Sequence, residues 1–440
     1  MKRIGWILLA AALAAPCCNR DINDQTVRIA VTARVSLNSA GVPANLECID
    51  PAVSADGRFL AFVSLATNLS PVPTNGVKQV YVRDLVLGVT EMVSVNNNGD
   101  AGTADSRRPT LSADGSLVAF QSDAPNLVPA DFNGKRDVFL RKRNEGKTVR
   151  VSEADGGGDA DDESLRPMIS GNGQFVVFSS LATNLTSAST GGQQIFRRDL
   201  TLDITELVSV STTGGEAGGD SDEPSISFDG SRVAFRSNAD DLTLDPHTTG
   251  SLEVYVRDLS GATTVRISFA LALGTEPDGD SLTPAISGDG TRVAFVSRAT
   301  NLVVSDINGP VQDIYVRDVA GGAILLASRH SSGPQGSKGS DRPVLSHDGR
   351  FLAFVSDAPN LVDDDINQLS DVFWRDLASG RTIRLSSSTG NAGGNLASGD
   401  QDFPALTGDG SVAYFGSDST NLIGQDINGI RDIYGRGPLY

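Results

Sequence analysis

A phrase of twelve residues recurs seven times in this chain and constrains its fold more than any other feature. Each copy begins with proline, reaches serine or threonine three residues later, continues with Asp-Gly or Asn-Gly and ends in phenylalanine, as in "PAISGDGTRVAF". The copies start at Pro51, Pro109, Pro167, Pro224, Pro284, Pro343 and Pro404, so neighbouring copies lie 57 to 61 residues apart. A period of this size, built from short strands and turns, is typical of propeller blades.

Each repeat predicts four β-strands. The first is the Pro-x-apolar-Ser segment, which ends at the Asp-Gly turn. The second, such as "RFLAFVS", is apolar enough to be buried on both faces between neighbouring blades. The third is of the "DIYVRDV" type, and the fourth, of the "TVRVS" type, leads into a glycine-rich link. Helical periodicity is nearly absent, so the sequence predicts an all-β fold.

The last repeat has no fourth strand of its own. It offers a first strand at Pro404, a second at Ser411–Ser417 and a third in "DIYGRG", before Tyr440. The segment "TARVSL" at residues 32–37 has the sequence of a fourth strand and precedes the first repeat. Pairing it with the last repeat would close the ring and leave no open sheet edge. We therefore predict a seven-bladed β-propeller of four-stranded blades over residues 32–440, with the last blade closed by the N-terminal strand.

The repeated phrase, followed by "DIYVRD", resembles the WD40-like (PD40-type) repeat of TolB-like β-propeller proteins. The resemblance covers nearly all of residues 32–440. It implies either a periplasmic binding scaffold or a propeller of the kind that accompanies certain serine peptidases. The separate N-terminal domain of TolB is missing here, and neither a Gly-x-Ser-x-Gly motif nor an α/β-hydrolase domain is found.

The N-terminal residues have the pattern of an export signal. Lys2 and Arg3 precede an apolar run, and small residues precede two adjacent cysteines, so we assign residues 1–18 to a secretory signal with an imperfect lipobox and 19–31 to a short tether. The lipidated residue would be Cys17 or Cys18. The expected location is the periplasm or the outer membrane, as a lipid-anchored protein, with secretion as the alternative.

Charge narrows the classes of partner. The formal net charge is −18, and such a surface repels phosphate backbones, so we expect no nucleic-acid partner. Contact with a membrane is expected only through the lipid anchor. The acidity favours cationic partners or divalent ions, although it also serves solubility alone.

Four loops between second and third strands suggest calcium as a cofactor. They carry oxygen side chains at alternate positions followed by a further carboxylate, which resembles the start of calcium-binding loops. Asn and Asp also build such turns without any ion, and three other repeats lack the pattern, so structural turns are the favoured interpretation. The candidate ligands are Asp131, Asn133 and Asp137; Asp306, Asn308 and Asp313; Asp365, Asn367 and Asp371; and Asp426, Asn428 and Asp432.

No catalytic constellation is recognisable in the sequence. The three histidines, His247, His330 and His347, fall in different repeats. We therefore expect a protein that is not an enzyme, a scaffold that binds an envelope protein or peptide through its loops or central funnel. The alternative is a metal-assisted hydrolase or lyase that acts in the central channel.

Overall fold

A computed structural model describes residues 30–440 except 188–190, 246–249, 271–274, 305, 323, 425 and 427. These residues form seven antiparallel sheets of four strands each. One 3-10 turn, Arg143–Glu145, interrupts the β-structure of the described part of the chain. The predicted all-β seven-bladed propeller is confirmed.

The strands follow one another through each blade from the channel outward. The first strands are β2 (Cys48–Val53), β6 (Ser106–Leu111), β10 (Ser164–Ile169), β14 (Ser221–Ile226), β18 (Ser281–Ile286), β22 (Ser340–Leu345) and β26 (Ala405–Leu406). The second strands are β3 (Phe59–Ser64), β7 (Leu117–Ser122), β11 (Phe175–Ser180), β15 (Arg232–Ser237), β19 (Arg292–Ser297), β23 (Phe351–Ser356) and β27 (Ala413–Ser417).

The outer strands complete the blades. The third strands are β4 (Gln79–Asp84), β8 (Asp137–Lys142), β12 (Gln194–Asp199), β16 (Glu253–Asp258), β20 (Asp313–Asp318), β24 (Asp371–Asp376) and β28 (Asp432–Gly437). The fourth strands are β5 (Val89–Met92), β9 (Lys147–Arg150), β13 (Ile204–Leu207), β17 (Thr263–Arg266), β21 (Ile324–Leu326), β25 (Thr382–Arg384) and, in the seventh blade, β1 (Val31–Arg34).

The ring closes as predicted. Strand β1 pairs antiparallel with β28, with Val31 opposite Gly437 and Arg34 opposite Tyr434. The seventh blade thus contains both ends of the described chain, and its sheet has the order β1-β28-β27-β26. This pairing supplies the fourth strand that the last repeat lacks.

In blades one to six the first strands are longer than the sequence predicts. They begin three residues before the repeated proline, and their pairing with the second strand shifts register at that proline, as between Arg107 and Thr110. In blade seven the first strand, Ala405–Leu406, begins after the proline. Proline has no N–H to donate to a ladder, so a bulge at this point is the arrangement that a sheet tolerates. The bulge turns the residue before the proline into a left-handed backbone conformation, with φ of +52° at Arg108.

The core lies between blades, not within one. Successive residues of the second strand face opposite neighbours: Leu60 and Phe62 pack with Tyr414 of blade seven, whereas Ala61 and Val63 pack with Phe120 of blade two. This explains why the second strands carry apolar residues on both faces. In the described part of the chain, no helix is long and apolar enough to cross a membrane.

Candidate functional site

The first strands surround a central channel. Side chains from all seven blades line a cavity of about 400 Å³ along the axis of the ring. Its walls are the repeated prolines and an apolar layer below them, made of Val53, Leu111, Ile169, Ile226, Ile286, Leu345 and Leu406. The channel therefore offers an apolar interior to a ligand that enters along the axis.

Backbone hydrogen bonds hold one end of the channel together. Here the Asp-Gly turns of successive blades meet, and each turn binds the next, as in the bond from Ala55 N to Ala113 O at 3.0 Å. The series ends with Gly408 N bonding to Ala55 O at 3.0 Å, so the seven turns form a closed circle of hydrogen bonds that we call the girdle. The girdle fixes the radius of this end of the channel.

Two side chains narrow the channel at the girdle. Phe228 of blade four and His347 of blade six meet edge to face, with ring centroids 5.1 Å apart. They fit because the turns beneath them carry Gly171 and Gly288, where a Cβ atom would overlap Phe228 and His347 respectively. A ligand would therefore enter more easily from the opposite end.

The opposite end, which we call the mouth, is formed by the residue before each repeated proline. These residues are Asp50, Arg108, Arg166, Glu223, Thr283, Arg342 and Phe403, which are five residue types at one position of an otherwise repetitive chain, and all except Arg342 line the channel. All except Phe403 have φ between +51° and +55°, a conformation that favours glycine, yet none of the seven is glycine. Sequence reasoning missed this set, although its variation at a fixed distance from the proline was a visible signal.

The acidic mouth residues brace the backbone of the next blade. Asp50 Oδ2 accepts the N–H of Arg108 at 3.3 Å, and Glu223 Oε2 accepts the N–H of Thr283 at 2.9 Å. These bonds hold the strained conformation in place.

The arginines of the mouth differ in their partners. Arg166 pairs with Asp222 and lies 3.8 Å from Glu223. The guanidinium groups of Arg108 and Arg342 have no ion-pair or hydrogen-bond partner among the described residues. Arg108 lines the channel and Arg342 does not, so one positive charge without a partner among the described residues is available to a ligand at the mouth.

In each of the four predicted calcium loops, an arginine or a glutamine side chain of the protein contacts the candidate carboxylates. In blade two, Arg150 Nη1 lies 3.8 Å from Asp131 Oδ1 and 3.9 Å from Asp137 Oδ2. Asn133 donates to Asp137 Oδ2 at 3.2 Å and accepts the N–H of Lys135 at 2.9 Å, which is a self-contained Asx turn. Burial raises the pKa of Asp131 to about 6, and it also raises the pKa of Asp137.

Blades six and seven repeat this arrangement. Arg384 Nη1 lies 3.4 Å from Asp365 Oδ1 and 3.9 Å from Asp371 Oδ2, with Asn367 donating to Asp371 at 3.1 Å. Burial raises the pKa of Asp371 to about 7.

In blade seven, the guanidinium comes from the N-terminal strand. Arg34 lies 3.2 Å from Asp426 Oδ1 and 3.1 Å from Asp432 Oδ2, and Asn428 donates to Asp432 at 3.0 Å.

Blade five has an amide where these blades have arginine. Gln335 Nε2 donates to Asp306 Oδ1 at 3.0 Å and to Asp313 Oδ2 at 2.7 Å, while Asn308 donates to Asp313 at 2.8 Å. The fourth-strand residue here is Leu326, which cannot supply a charge.

The carboxylate at the start of the third strand has a structural role in each of these loops. It accepts a hydrogen bond from the serine at the end of the fourth strand, as in Ser152 Oγ to Asp137 Oδ1 at 2.6 Å. In blade one the same serine bond goes to Gln79 Oε1, at 2.5 Å, so a neutral acceptor suffices. Among the described residues no group of three or more His, Cys, Asp or Glu side chains could hold a metal. These contacts support the structural interpretation, and calcium binding stays a prediction.

The histidines and cysteines, the other candidate functional residues, do not form a common site. His330 and His347 lie in different blades, and His247, Cys17 and Cys18 lie outside the described residues. Cys48 is fully buried, and burial raises the pKa of its thiol, so this cysteine is held in the unreactive neutral form.

Comparison with known proteins identifies the fold and no closer relationship. No family model matches the sequence, and no curated protein matches it either. An oligogalacturonate lyase from Vibrio parahaemolyticus is similar in structure, with a TM-score of 0.53 and 14% identity over 94% of each chain. A puromycin-hydrolysing peptidase from Mycobacterium tuberculosis has a TM-score of 0.50 and 13% identity, over 90% of this chain and 54% of that one. A putative TolB from Agrobacterium tumefaciens has a TM-score of 0.39 and 18% identity, over 63% of this chain and 79% of that one. TolB structures are among those similar to this chain.

These similarities correct one prediction. The prediction that the chain is not an enzyme is wrong, because this fold does not exclude enzymatic activity. A lyase that matches this chain over 94% of its own length has the same architecture. The lack of a recognisable motif therefore does not separate a binding protein from an enzyme on this fold.

Proposed function

We propose that this protein is a scaffold that binds a peptide segment of a protein partner at the mouth of its central channel. The observation that carries the proposal is the set of side chains before the repeated prolines. Six of these positions have φ between +51° and +55°, where glycine would cost less, by about 1 kcal/mol at each position. Acidic, basic and hydroxyl side chains at strained positions around one axis are typical of a binding site.

The dimensions and chemistry of the channel support a peptide as the occupant. A cavity of about 400 Å³ accommodates a few side chains and excludes a folded domain. Apolar walls below a charged mouth suit a segment with one or more apolar side chains flanked by charged ones. The seven rigid blades supply a fixed frame for such recognition.

A photo-crosslinking experiment in cells that express the full chain tests this proposal. Benzoylphenylalanine would replace Phe403, which lines the channel, and in a matched variant Phe132, an 84% exposed residue of the blade-two loop. We expect a discrete crosslinked partner from position 403 and none from position 132. A partner captured only from position 132 would move the binding surface to the loops and overturn the proposal.

A second candidate is a hydrolase or lyase that acts in the channel. The similarity to the Vibrio lyase along 94% of both chains favours it, as does the presence of Arg166 and Glu223 together at the mouth. The described residues offer no set of donors for a resident metal, so we do not assign a metal-assisted step. Incubation with oligogalacturonate, followed by the ultraviolet absorbance of an unsaturated product, tests this candidate. If the protein converts oligogalacturonate and Glu223→Gln abolishes this activity, the protein is an enzyme and the scaffold proposal is wrong.

We also propose that the chain is exported and carries a lipid at Cys17 or Cys18. The basic start, the apolar run and the adjacent cysteines of residues 1–18 support this. Mass spectrometry of the mature N-terminus, with Cys17→Ala and Cys18→Ala as separate variants, identifies the modified residue. A mature chain with no lipid on either cysteine would leave export without an anchor.

A further inference from the structure

A second cavity lies beside the mouth and differs from the channel in its chemistry. It measures about 450 Å³ and lies where blades one, two and seven meet. Asp50 and Arg108 line both this cavity and the channel, so a ligand at the mouth can reach both. We call it the side cavity.

Positive charge is concentrated around the side cavity. Lys78, Arg107, Arg108 and Arg136 line it, against two carboxylates, although the whole chain has a net charge of −18. Both carboxylates are already engaged. Asp402 Oδ2 bonds to Arg431 Nε at 3.1 Å, and Asp50 Oδ2 accepts the N–H of Arg108.

The four cations retain donors for a ligand. Lys78, Arg107 and Arg136 each form one ion pair, with Glu47 at 3.3 Å, Asp105 at 2.5 Å and Asp123 at 2.8 Å respectively. A guanidinium carries five N–H donors, so one carboxylate leaves several of them free. Arg108 is exposed, and no ion pair or hydrogen bond engages its guanidinium within the described residues.

The fold does not require these cations. The position of Lys78 and Arg136 is filled by Gln193, Leu252, Gln312 and Ser370 in blades three to six, and the position of Arg107 by Leu165 and Leu282 in blades three and five. Blade seven has Arg431 at the first position, but that arginine pairs with Asp400, Asp402 and Asp418. The cluster of four cations is therefore a property of this one junction, and the guanidinium of Arg108, which has no partner among the described residues, points to a ligand.

We propose that the side cavity binds a carboxylate of the ligand held at the mouth, an Asp or Glu side chain of an acidic peptide, with Arg108 as its first contact. This inference rests on the proposed peptide-binding function. A guanidinium matches the planar carboxylate with two parallel hydrogen bonds. The nearby carboxylates of Asp50 and Asp402 repel a doubly charged phosphate more strongly than a singly charged carboxylate, which selects the latter.

Fluorescence anisotropy with the full chain tests the proposal. The probes are a rhodamine-labelled (Gly-Glu)4 peptide, its neutral (Gly-Gln)4 counterpart, and unlabelled oligogalacturonate as a competitor that carries carboxylates on a sugar. We expect Arg108→Gln to weaken binding of the acidic peptide by about tenfold, since one charge-assisted contact is lost. The matched control is Arg342→Gln, at the same repeat position and also without a partner, which lies outside the side cavity and should change binding less than twofold.

The outcomes of this experiment distinguish failure of the carboxylate site from failure of the peptide-binding function. If both variants weaken binding equally, or if the acidic peptide does not bind, the carboxylate site is overturned. If the neutral peptide binds as tightly as the acidic one, the peptide function stands and the carboxylate site falls. If only oligogalacturonate binds and Arg108→Gln abolishes that binding, the carboxylate chemistry stands and the peptide function falls.

Discussion

The hydroxyl of Ser36 donates a 2.6 Å hydrogen bond to Oδ1 of Asp432, although 396 residues separate them. Both groups are fully buried in the seventh blade. The same serine–acceptor bond recurs within other blades, as between Ser152 and Asp137, but there its partners are 15 residues apart. The closure of the ring therefore reuses a contact that each blade makes locally.

Loss of Arg34 is expected to open the ring. In Arg34→Met the buried carboxylates of Asp426 and Asp432 lose their cation, a change that costs about 3–5 kcal/mol in stability. The matched control is Arg150→Met, which removes the same contact inside blade two. Both variants should unfold at lower denaturant concentration, but hydrogen exchange should rise in β1 only for Arg34→Met. Equal exchange in β1 for both variants would contradict a role in closure.

The cost of replacing a turn glycine by alanine is expected to depend on the atoms that the added Cβ would meet. Gly115 and Gly134 have φ of +66° and +64°, so alanine strains both equally, by about 1 kcal/mol. At Gly115 the added Cβ would also overlap Phe59 of the preceding blade, whereas at Gly134 it would meet nothing within 4 Å. We expect Gly115→Ala to cost about 1–3 kcal/mol more than Gly134→Ala, measured by urea unfolding. Similar losses would show that the blades shift apart at little cost.

Stability is expected to depend on pH through Glu253. Burial raises the pKa of this carboxyl from 4.5 to about 7, and Ser268 and Arg266 only partly offset that effect. Between about pH 4.5 and 7 the folded protein keeps this proton while the unfolded chain releases it, so the contribution of Glu253 to stability falls as pH rises through that window.

Glutamine occupies the same position in blades one and three, as Gln79 and Gln194, and serves as the test substitution. Glu253→Gln should be more stable than the parent by about 1–3 kcal/mol at pH 8 and equally stable at pH 4, in thermal unfolding. The reverse change, Gln194→Glu, lies in a blade whose fourth strand offers Leu207 in place of arginine and should be destabilising at pH 8. A pH-independent effect of Glu253→Gln would contradict the buried-proton account.

Removal of calcium is expected to leave the melting temperature unchanged. One arginine already lies within 4 Å of both loop carboxylates in blades two, six and seven, and Gln335 bonds to both carboxylates in blade five. Scanning calorimetry with EDTA and with added CaCl₂ checks this. A loss of stability in EDTA that CaCl₂ restores would establish the cation site. If Asp306→Asn shows no such loss, the site lies in blade five.

Much of the architecture could be predicted because its determinants are local. The number of blades and the buried second strands follow from a phrase repeated within each unit. The N-terminal strand could be placed because "TARVSL" has the sequence of the other fourth strands. The place of the loop arginines could also have been predicted, since Arg34, Arg150 and Arg384 each stand two residues before the serine of the fourth strand.

The seven blades follow from the sequence alone, because strand pairing and hairpin turns depend on residues close together in each repeat. Their closure could be predicted because the N-terminal segment has the sequence of the fourth strand that the last repeat lacks. The mouth and the side cavity, in contrast, could not be predicted, because they depend on how distant repeats meet in space. Asp50, Arg108 and Asp402 belong to three repeats and border one space only when the ring is closed. In blades one to six the bulge at the proline gives the preceding residue a left-handed backbone conformation, and the pairing of each charge depends on which neighbours the closed ring brings within reach.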